Sequence, residues 1–203
     1  MELQEARTLA ERIVERIRPF SDRVEIAGSI RREKAEVKDI EICVREPLDW
    51  GSLLNALGAI GQFIKPGVPD VIPWPPRAGA KYLRMMLPEG IKLDLFFGTP
   101  KNWGALFAMR TGSGVGPDGN PFSGFIPVMF SRWKKISGGG RMTECMPTLP
   151  SGEQIPVPEE EDFFALLGVT WVHPRNRASS EAVRAALIPG HTLPTPAGPQ
   201  NPL

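Results

Sequence analysis

Acidic residues that alternate with branched aliphatic residues constrain this chain more than any other feature. Asp39 and Glu41 occupy alternate positions of the segment KDIEICV, and Asp94 lies within IKLDLFF. Side chains alternate between the two faces of a strand, so Asp39 and Glu41 share one face and their aliphatic neighbours the other. The pattern predicts two strands with water-facing carboxylates. Such carboxylates can hold two divalent cations, which clamp the attacking and leaving oxygens of a phosphoryl displacement.

A turn ahead of the first acidic strand strengthens this interpretation. Taken alone, an acidic residue between aliphatic ones is more often part of the solvated face of a sheet. Here Gly28 and Ser29 come first, and Arg32 follows Ser29 by about one turn of a predicted helix. This spacing gathers a hydroxyl, a guanidinium and free backbone N–H groups around one point that suits a phosphate. Serine also caps helices commonly, so the phosphate interpretation depends on the acidic strand that follows.

The composition restricts the class of protein. The chain has 203 residues, and its 24 Lys and Arg balance 23 Asp and Glu, so the net charge indicates no partner. Cys43 and Cys145 are too few for a disulfide framework or a zinc site. No apolar run reaches membrane-spanning length and the N-terminus begins with charged residues, so we expect an intracellular, cytoplasmic protein without a membrane partner.

Periodicity and turn residues predict an α/β (α+β) fold with a mixed sheet flanked by helices. The predicted helices cover residues 2–18, 48–60, 158–167 and 180–187, with a further helix from Gly104. The predicted strands cover residues 24–27 and 39–44, a helical turn lies between them, and residues 81–87 and 91–97 form a hairpin. The proline-rich composition of residues 68–79 predicts a loop, and that of residues 191–203 predicts a disordered end.

One segment of the second half is purely basic. Residues 131–141 contain no acid and carry four cationic side chains, Arg132, Lys134, Lys135 and Arg141. Trp133 lies among them, and basic side chains with an interleaved aromatic ring are typical of a surface that follows the phosphate backbone of DNA. An ordinary exposed hairpin explains the segment equally well.

The order of the motifs resembles the DNA polymerase beta-like superfamily, and in particular the family X DNA polymerases. The shared pattern is G-S-x-R-R, then D-I-E, then a later L-D-L. Residues 111–113, Thr-Gly-Ser, look like the family's turn beneath the incoming nucleotide. Residues 149–157 and the following helix resemble the closing strand and helix of its thumb, and residues 174–177 resemble the segment after it.

This resemblance covers about residues 3–178 and implies the domain organisation. A nucleotidyltransferase palm would occupy residues 1–100, and a small α/β thumb residues 101–178. Residues 179–203 would add a short helix and a proline-rich tail. The implied protein is a monomer that binds gapped or primer–template DNA and a deoxynucleoside triphosphate.

The resemblance also implies individual roles. Asp39 and Glu41 would hold the nucleotide-bound metal, and with Asp94 they would hold the catalytic metal beside the primer 3′-hydroxyl. The implied cofactors are two Mg²⁺ ions, with Mn²⁺ as an alternative. Ser29 and Arg32 would contact the triphosphate. The other implied nucleotide contacts are Gly28, Met109, Arg110, Thr111, Gly112 and Ser113.

Three positions depart from the family pattern. Glu41 replaces an aspartate and is one methylene longer, which favours acceptance of Mn²⁺ because Mg²⁺ demands near-ideal octahedral geometry. Met109 and Arg110 replace an aromatic pair near the sugar, so selection between deoxyribose and ribose is open. Residues 114–125 are rich in glycine and proline where the family has a helix that contacts the base pair, which points to low fidelity.

The palm and thumb pattern predicts a polymerase without lyase activity. Many family members carry an N-terminal lyase domain whose lysine forms a Schiff base with an abasic sugar. The first lysine of this chain is Lys34, inside the predicted palm. We expect no covalent adduct when the protein is treated with borohydride on incised abasic DNA, and a trapped adduct would contradict this expectation.

The sequence thus favours a template-directed family X DNA polymerase that fills gaps in DNA repair. One alternative is a nucleotidyltransferase that ignores a template or modifies RNA or a protein. A second alternative is an inactive nucleic-acid-binding module, against which the intact trio Asp39, Glu41 and Asp94 argues.

Overall fold

The computed structural model describes residues 1–67 and 73–193. Within these ranges the helices are α1 (Leu3–Ile17), α2 (Gly28–Arg31), α3 (Trp50–Gly58), α4 (Trp103–Thr111), α5 (Phe125–Ile136), α6 (Glu160–Leu166) and α7 (Ser180–Ala185). The strands are β1 (Ser21–Ile26), β2 (Asp39–Pro47), β3 (Gln62–Ile64), β4 (Tyr82–Met86), β5 (Lys92–Gly98), β6 (Arg141–Thr143) and β7 (Met146–Thr148). None of the helices in these ranges is both long and apolar enough to cross a membrane.

Five strands form one mixed sheet in the order β1-β2-β5-β4-β3. The central strands β2 and β5 run parallel, and every other neighbouring pair in this sheet is antiparallel. Parallel neighbours need a long crossover connection, which α3, β3 and β4 provide here. Helices flank this sheet, so the prediction of a mixed sheet with flanking helices is confirmed, whereas β3 was not predicted.

One face of the sheet forms the main apolar core. Ile40 and Ile42 of β2 and Leu93 and Leu95 of β5 are fully buried there, against α1 and α3. Because side chains alternate along a strand, the acidic residues of β2 and β5 point to the opposite face. Burial of the aliphatic residues therefore decides where the carboxylates lie.

Helix α4 covers part of that opposite face. Trp103 and Phe107 of this helix pack with Phe96 of β5 in a small apolar cluster. Asp94 lies on the same face and is buried, with 3% of its surface exposed. The prediction that the carboxylates face water is wrong for this residue.

A second apolar core lies among α5, α6 and α7. Phe125, Trp133, Phe163 and Val183 are fully buried in it. Helix α7, which the resemblance assigned to the tail, packs against α5 and belongs to this core. The domain boundaries themselves stay predictions.

The basic segment adopts neither of the structures suggested by the sequence. Residues 131–136 belong to α5, and a hairpin begins only at Arg141. Trp133 is fully buried and its indole Nε1 donates to the Arg141 carbonyl at 3.1 Å, so its ring is not available to a nucleic acid. Arg132 donates to a backbone carbonyl at 2.9 Å. The predicted interleaving of basic and aromatic side chains is therefore wrong, and so is a hairpin over residues 131–136. Lys134, Lys135 and Arg141 are exposed, and DNA contacts of these residues and of Arg132 stay predictions.

The predicted helix at residues 158–167 is confirmed, whereas a strand at residues 149–157 is wrong. Helix α6 carries a capping box of Glu159 and Asp162, and Gly168 follows it with a φ of 62°. Within the described ranges, residues 149–157 form no strand, and only an isolated bridge joins Gln154 to Thr148. Of the predicted proline-rich loop at residues 68–79, residues 73–79 are described and form neither helix nor strand apart from an isolated bridge at Pro73. Residues 68–72 of this loop and residues 194–203 of the predicted tail lie outside the described residues.

Candidate functional site

Three acidic side chains occupy the sheet face partly covered by α4. The parallel register places Glu41 beside Asp94, and Asp39 shares the face of Glu41 on β2. Burial, and after it repulsion from Asp39, raises the pKa of Glu41 to about 7. Burial and repulsion from Asp94 also raise the pKa of Asp39. The three carboxylates thus lie close enough to oppose one another's charge, a situation that a cation would relieve.

Gly28 determines how closely Glu41 approaches the turn after β1. It begins α2 with a φ of 60°, a conformation that residues with a side chain rarely adopt. A Cβ at this position would overlap the Glu41 carboxylate. The glycine therefore admits the acidic side chain directly against the backbone of α2.

Replacing Gly28 with alanine is expected to destabilise the protein more than replacing Gly90. Gly90 has a similar φ of 76° but open space around it. Alanine therefore introduces about 1 kcal/mol of backbone strain at either position. Only Gly28→Ala also displaces the Glu41 side chain. Thermal unfolding of the two variants measures the difference. Equal losses of stability would contradict the close contact between Gly28 and Glu41.

Two polar atoms, one in α2 and one directly after it, lack partners among the described residues. Ser29 Oγ and Arg32 Nε are buried and, among the residues described, accept or donate no hydrogen bond. Arg32 Nη1 donates to the Thr111 carbonyl at 2.6 Å, which holds the guanidinium at the end of α4. Burial lowers the pKa of Arg32, against the opposing charges of the nearby acids. Since buried polar atoms usually have partners, these two atoms fit an anionic ligand beside the acidic cluster.

Asp94 is held by two side chains that sequence reasoning missed. Arg84 Nε and Nη2 each donate to one of its carboxylate oxygens at 2.6 Å, and the Tyr82 hydroxyl donates to Oδ1 at 2.8 Å. Both donors come from β4, whose antiparallel register places Arg84 opposite Asp94. A signal existed, because closing the predicted hairpin between Leu87 and Ile91 gives this same register.

The oxygen donors of the acidic cluster suit divalent cations, but the three carboxylates are not positioned to coordinate a cation together in this structure. Carboxylate oxygens are the donors that Mg²⁺ prefers. Among the described residues, however, no three His, Cys, Asp or Glu side chains are disposed as a metal-binding group. Asp94 directs its oxygens to Arg84 instead. Cations shared with Asp39 and Glu41 therefore require Arg84 to release Asp94.

The Thr-Gly-Ser turn at the end of α4 packs against its surroundings. The buried Thr111 hydroxyl accepts a bond from Arg31 Nη1 at 2.7 Å. Gly112 lies so close to side chains of α5 that a Cβ would overlap them. The Ser113 hydroxyl donates to a nearby backbone carbonyl at 2.5 Å. In this structure the turn connects α2, α4 and α5.

The two residues before this turn point to different parts of the molecule. Met109 packs against the second apolar core. The Arg110 guanidinium lies 3.9 Å from the centre of the Phe96 ring, and its charge opposes the rise in the pKa of Glu41. Arg110 therefore faces the acidic cluster, whereas Met109 does not share its environment.

A buried ion network centred on Glu160 connects α6 to α2, and sequence reasoning missed it as well. Glu160 accepts two bonds from Arg31 at 2.6 and 2.8 Å and two from Arg177 at 2.6 and 2.9 Å. The Trp171 indole adds a fifth at 3.0 Å. Burial alone would raise the pKa of Glu160, but the bonds from both arginines lower it to about 2.

Helical periodicity contained a signal for this network. Glu160 lies on the same stripe of α6 as the buried Phe163, Phe164 and Leu167. An acid at a core position needs a cationic partner, because an unpaired buried charge is very costly.

Comparison with known proteins does not assign this chain to a family. No protein-family model matches the chain, and no curated protein matches it significantly. The function is therefore argued from the site itself.

Proposed function

We propose that this chain is a metal-dependent nucleotidyltransferase that acts as a template-directed DNA polymerase of family X and fills gaps in DNA. One observation carries the proposal. Two adjacent parallel strands place Asp39, Glu41 and Asp94 on one face of the sheet. Beside this face, Ser29 Oγ and Arg32 Nε have no hydrogen-bond partner among the described residues. Mutually repelling acids next to polar atoms without hydrogen-bond partners suit a substrate that brings cations and phosphate together.

The side chains of the site divide the work of the proposed reaction. Arg32 and Ser29 bind the triphosphate of the incoming nucleotide, and the Thr111 carbonyl orients the guanidinium of Arg32. Asp39, Glu41 and Asp94 would hold the cations. When bound, two divalent cations neutralise the phosphates and favour loss of the proton from the primer 3′-hydroxyl. The protein contributes position and charge, as is general for phosphoryl transfer.

Arg84 gives the proposed reaction an additional requirement. Its two bonds to Asp94 neutralise the acid in this structure. Productive binding must move this guanidinium away from Asp94, and its side chain, which is 21% exposed, can then turn toward water or a substrate phosphate. Arg84 thereby keeps the buried acid paired until substrates arrive.

Primer extension on DNA with a single-nucleotide gap tests the proposal. In the presence of Mg²⁺ or Mn²⁺ we expect incorporation of the nucleotide complementary to the template base. Omission of the metal should abolish incorporation, because the acidic cluster cannot position the triphosphate alone. Protein that binds gapped DNA but incorporates no nucleotide with either metal would support an inactive binding module instead.

A second candidate is nucleotidyl transfer without a template. The position of Arg110 favours it, since a guanidinium lies beside Glu41 and Phe96 where the family pattern has an aromatic ring. Residues 114–124, which precede α5, form turns and bends rather than a helix. Incorporation that is independent of the template base, or transfer from ATP to protein, would favour this candidate.

A further inference from the structure

A cavity of about 430 Å³ lies between α4 and one end of the sheet, and its lining includes none of the three acids of the cluster. Two pairs of aromatic rings line it. Trp50 and Phe97 lie with ring centres 4.7 Å apart, and Tyr82 and Phe96 are stacked at 5.0 Å. Its volume is within the range of cavities that accept small organic ligands. We call this cavity the aromatic pocket.

Two residues of the aromatic pocket also contact the acidic cluster. The Tyr82 hydroxyl donates to Asp94, and its ring stacks on Phe96 in the pocket. Arg110 lies over the same Phe96 ring and faces Glu41. A ligand that extends from the acidic cluster past Tyr82 and Arg110 therefore enters the aromatic pocket.

The polar groups around the aromatic pocket suit phosphate. Arg110 Nε is buried and has no hydrogen-bond partner within residues 1–67 and 73–193. At the rim, Lys81 forms an ion pair with Glu144, and both side chains are largely exposed. Exposed ion pairs contribute little stability, so Lys81 can exchange Glu144 for a phosphate at small cost.

The hairpin that covers the aromatic pocket is held in an uncommon conformation. Glu144 and Cys145, between β6 and β7, have φ values of 53° and 60°. Residues other than glycine and asparagine are disfavoured in this left-handed backbone conformation. Such conformations persist where surrounding contacts impose them. Asn102 Nδ2 donates to the Glu144 carbonyl at 3.0 Å and holds the hairpin tip over the pocket.

We propose that the aromatic pocket binds one unpaired nucleobase of the nucleic-acid strand that lies at the acidic cluster, while Arg110 and Lys81 contact the adjoining phosphates. This inference rests on the proposed nucleotidyltransferase function. The rings of Trp50 and Tyr82 give the base apolar and stacking contacts, and stacking tolerates any base because each has an aromatic face. The two cations contribute charge without sequence preference.

Binding of a short single strand with 2-aminopurine at its 3′ end tests the proposal, because stacking quenches the fluorescence of this base. The competitor is the same strand with an abasic site at that end. Without metal, the wild-type protein is expected to bind the base-containing strand about tenfold tighter than the abasic strand, as one stacked base provides. Equal affinity for the two strands would overturn the proposal.

Variants locate the effect within the protein. Trp50→Ala should remove the preference for the base, whereas Trp74→Ala should keep it, because Trp74 is an exposed ring beside Lys65 and outside the aromatic pocket. Trp50→Phe should restore most of the preference, which separates stacking from misfolding. Lys81→Ala should weaken both strands equally, as expected for a phosphate contact. Unchanged preference in a folded Trp50→Ala protein would overturn the proposal.

Two further measurements separate this inference from the proposed activity. Asp39→Asn should lose nucleotide incorporation yet retain the base preference, because Asp39 does not line the aromatic pocket. Absent incorporation with intact base preference would contradict the proposed function alone. Displacement of the fluorescent base by an equimolar free deoxynucleoside triphosphate would contradict the inference, because the pocket would then be the site of the incoming nucleotide.

Discussion

Replacement of Asp94 by alanine is expected to reduce nucleotide incorporation at least about a thousandfold. Asp94 comes from β5 and completes the cluster that β2 supplies, so its loss removes the proposed ligand nearest the primer 3′-hydroxyl. Several kcal/mol of charge stabilisation in the transition state correspond to this factor. Single-turnover extension of a gapped primer, with saturating nucleotide and Mg²⁺, measures the loss.

Two control variants distinguish lost chemistry from lost structure. Asp94→Asn keeps the size of the side chain and an acceptor for the Tyr82 hydroxyl, and it should be folded and equally inactive. Asp22→Ala breaks another aspartate–arginine pair, in which Arg45 Nε donates at 2.6 Å, outside the acidic cluster. We expect near wild-type incorporation from Asp22→Ala. Retained activity in either Asp94 variant would exclude the proposed site.

Replacement of Glu160 by glutamine is expected to lower the free energy of unfolding by about 3 kcal/mol at pH 7. The neutral amide leaves Arg31 and the fully buried Arg177 without their shared counter-ion, and removal of one partner from a buried ion pair typically costs this much. Glu161→Gln is the matched control on the same helix, because Glu161 is exposed. Urea unfolding of both variants measures the difference. A loss for Glu160→Gln as small as that for Glu161→Gln would contradict the network.

The same network predicts a pH dependence with a defined sign. The pKa of Glu160 is about 2 in the folded protein, below the value of about 4.3 for an unfolded glutamate. Its contribution is therefore complete above about pH 4.3 and is lost as the pH falls toward 2. The stability difference between wild type and Glu160→Gln should be constant from pH 7 to 5 and shrink below that range. A difference that grows on acidification would contradict the depressed pKa of Glu160.

Local patterns in the sequence predicted the components of the acidic cluster. Alternation in β2 and β5 placed Asp39, Glu41 and Asp94 on the face opposite the aliphatic core, and burial of Ile40 and Leu93 explains why. The turn at Gly28 and the hairpin of β4 and β5 also follow from local residues. Each of these features is determined by neighbours along the chain.

Long-range pairing decided what local patterns could not. The parallel contact of β2 with β5 requires the crossover through α3, β3 and β4. The residues of the two strands do not by themselves show that these strands pair. The Glu160 network joins residues of α2, α6 and the segment after it. Trp133 is a different case: the local helical stripe of α5 buries its ring, but the basic neighbours suggested an exposed one.

Single-nucleotide incorporation on a gapped duplex tests the central claim most directly. All four deoxynucleotides and all four ribonucleotides would be compared, each with Mg²⁺ and with Mn²⁺, for the wild-type protein and Asp94→Ala. The account predicts metal-dependent addition of the templated nucleotide by the wild type and none by the variant. Addition that persists in folded Asp94→Ala, or a wild type that binds the duplex and adds nothing with either metal, would contradict it.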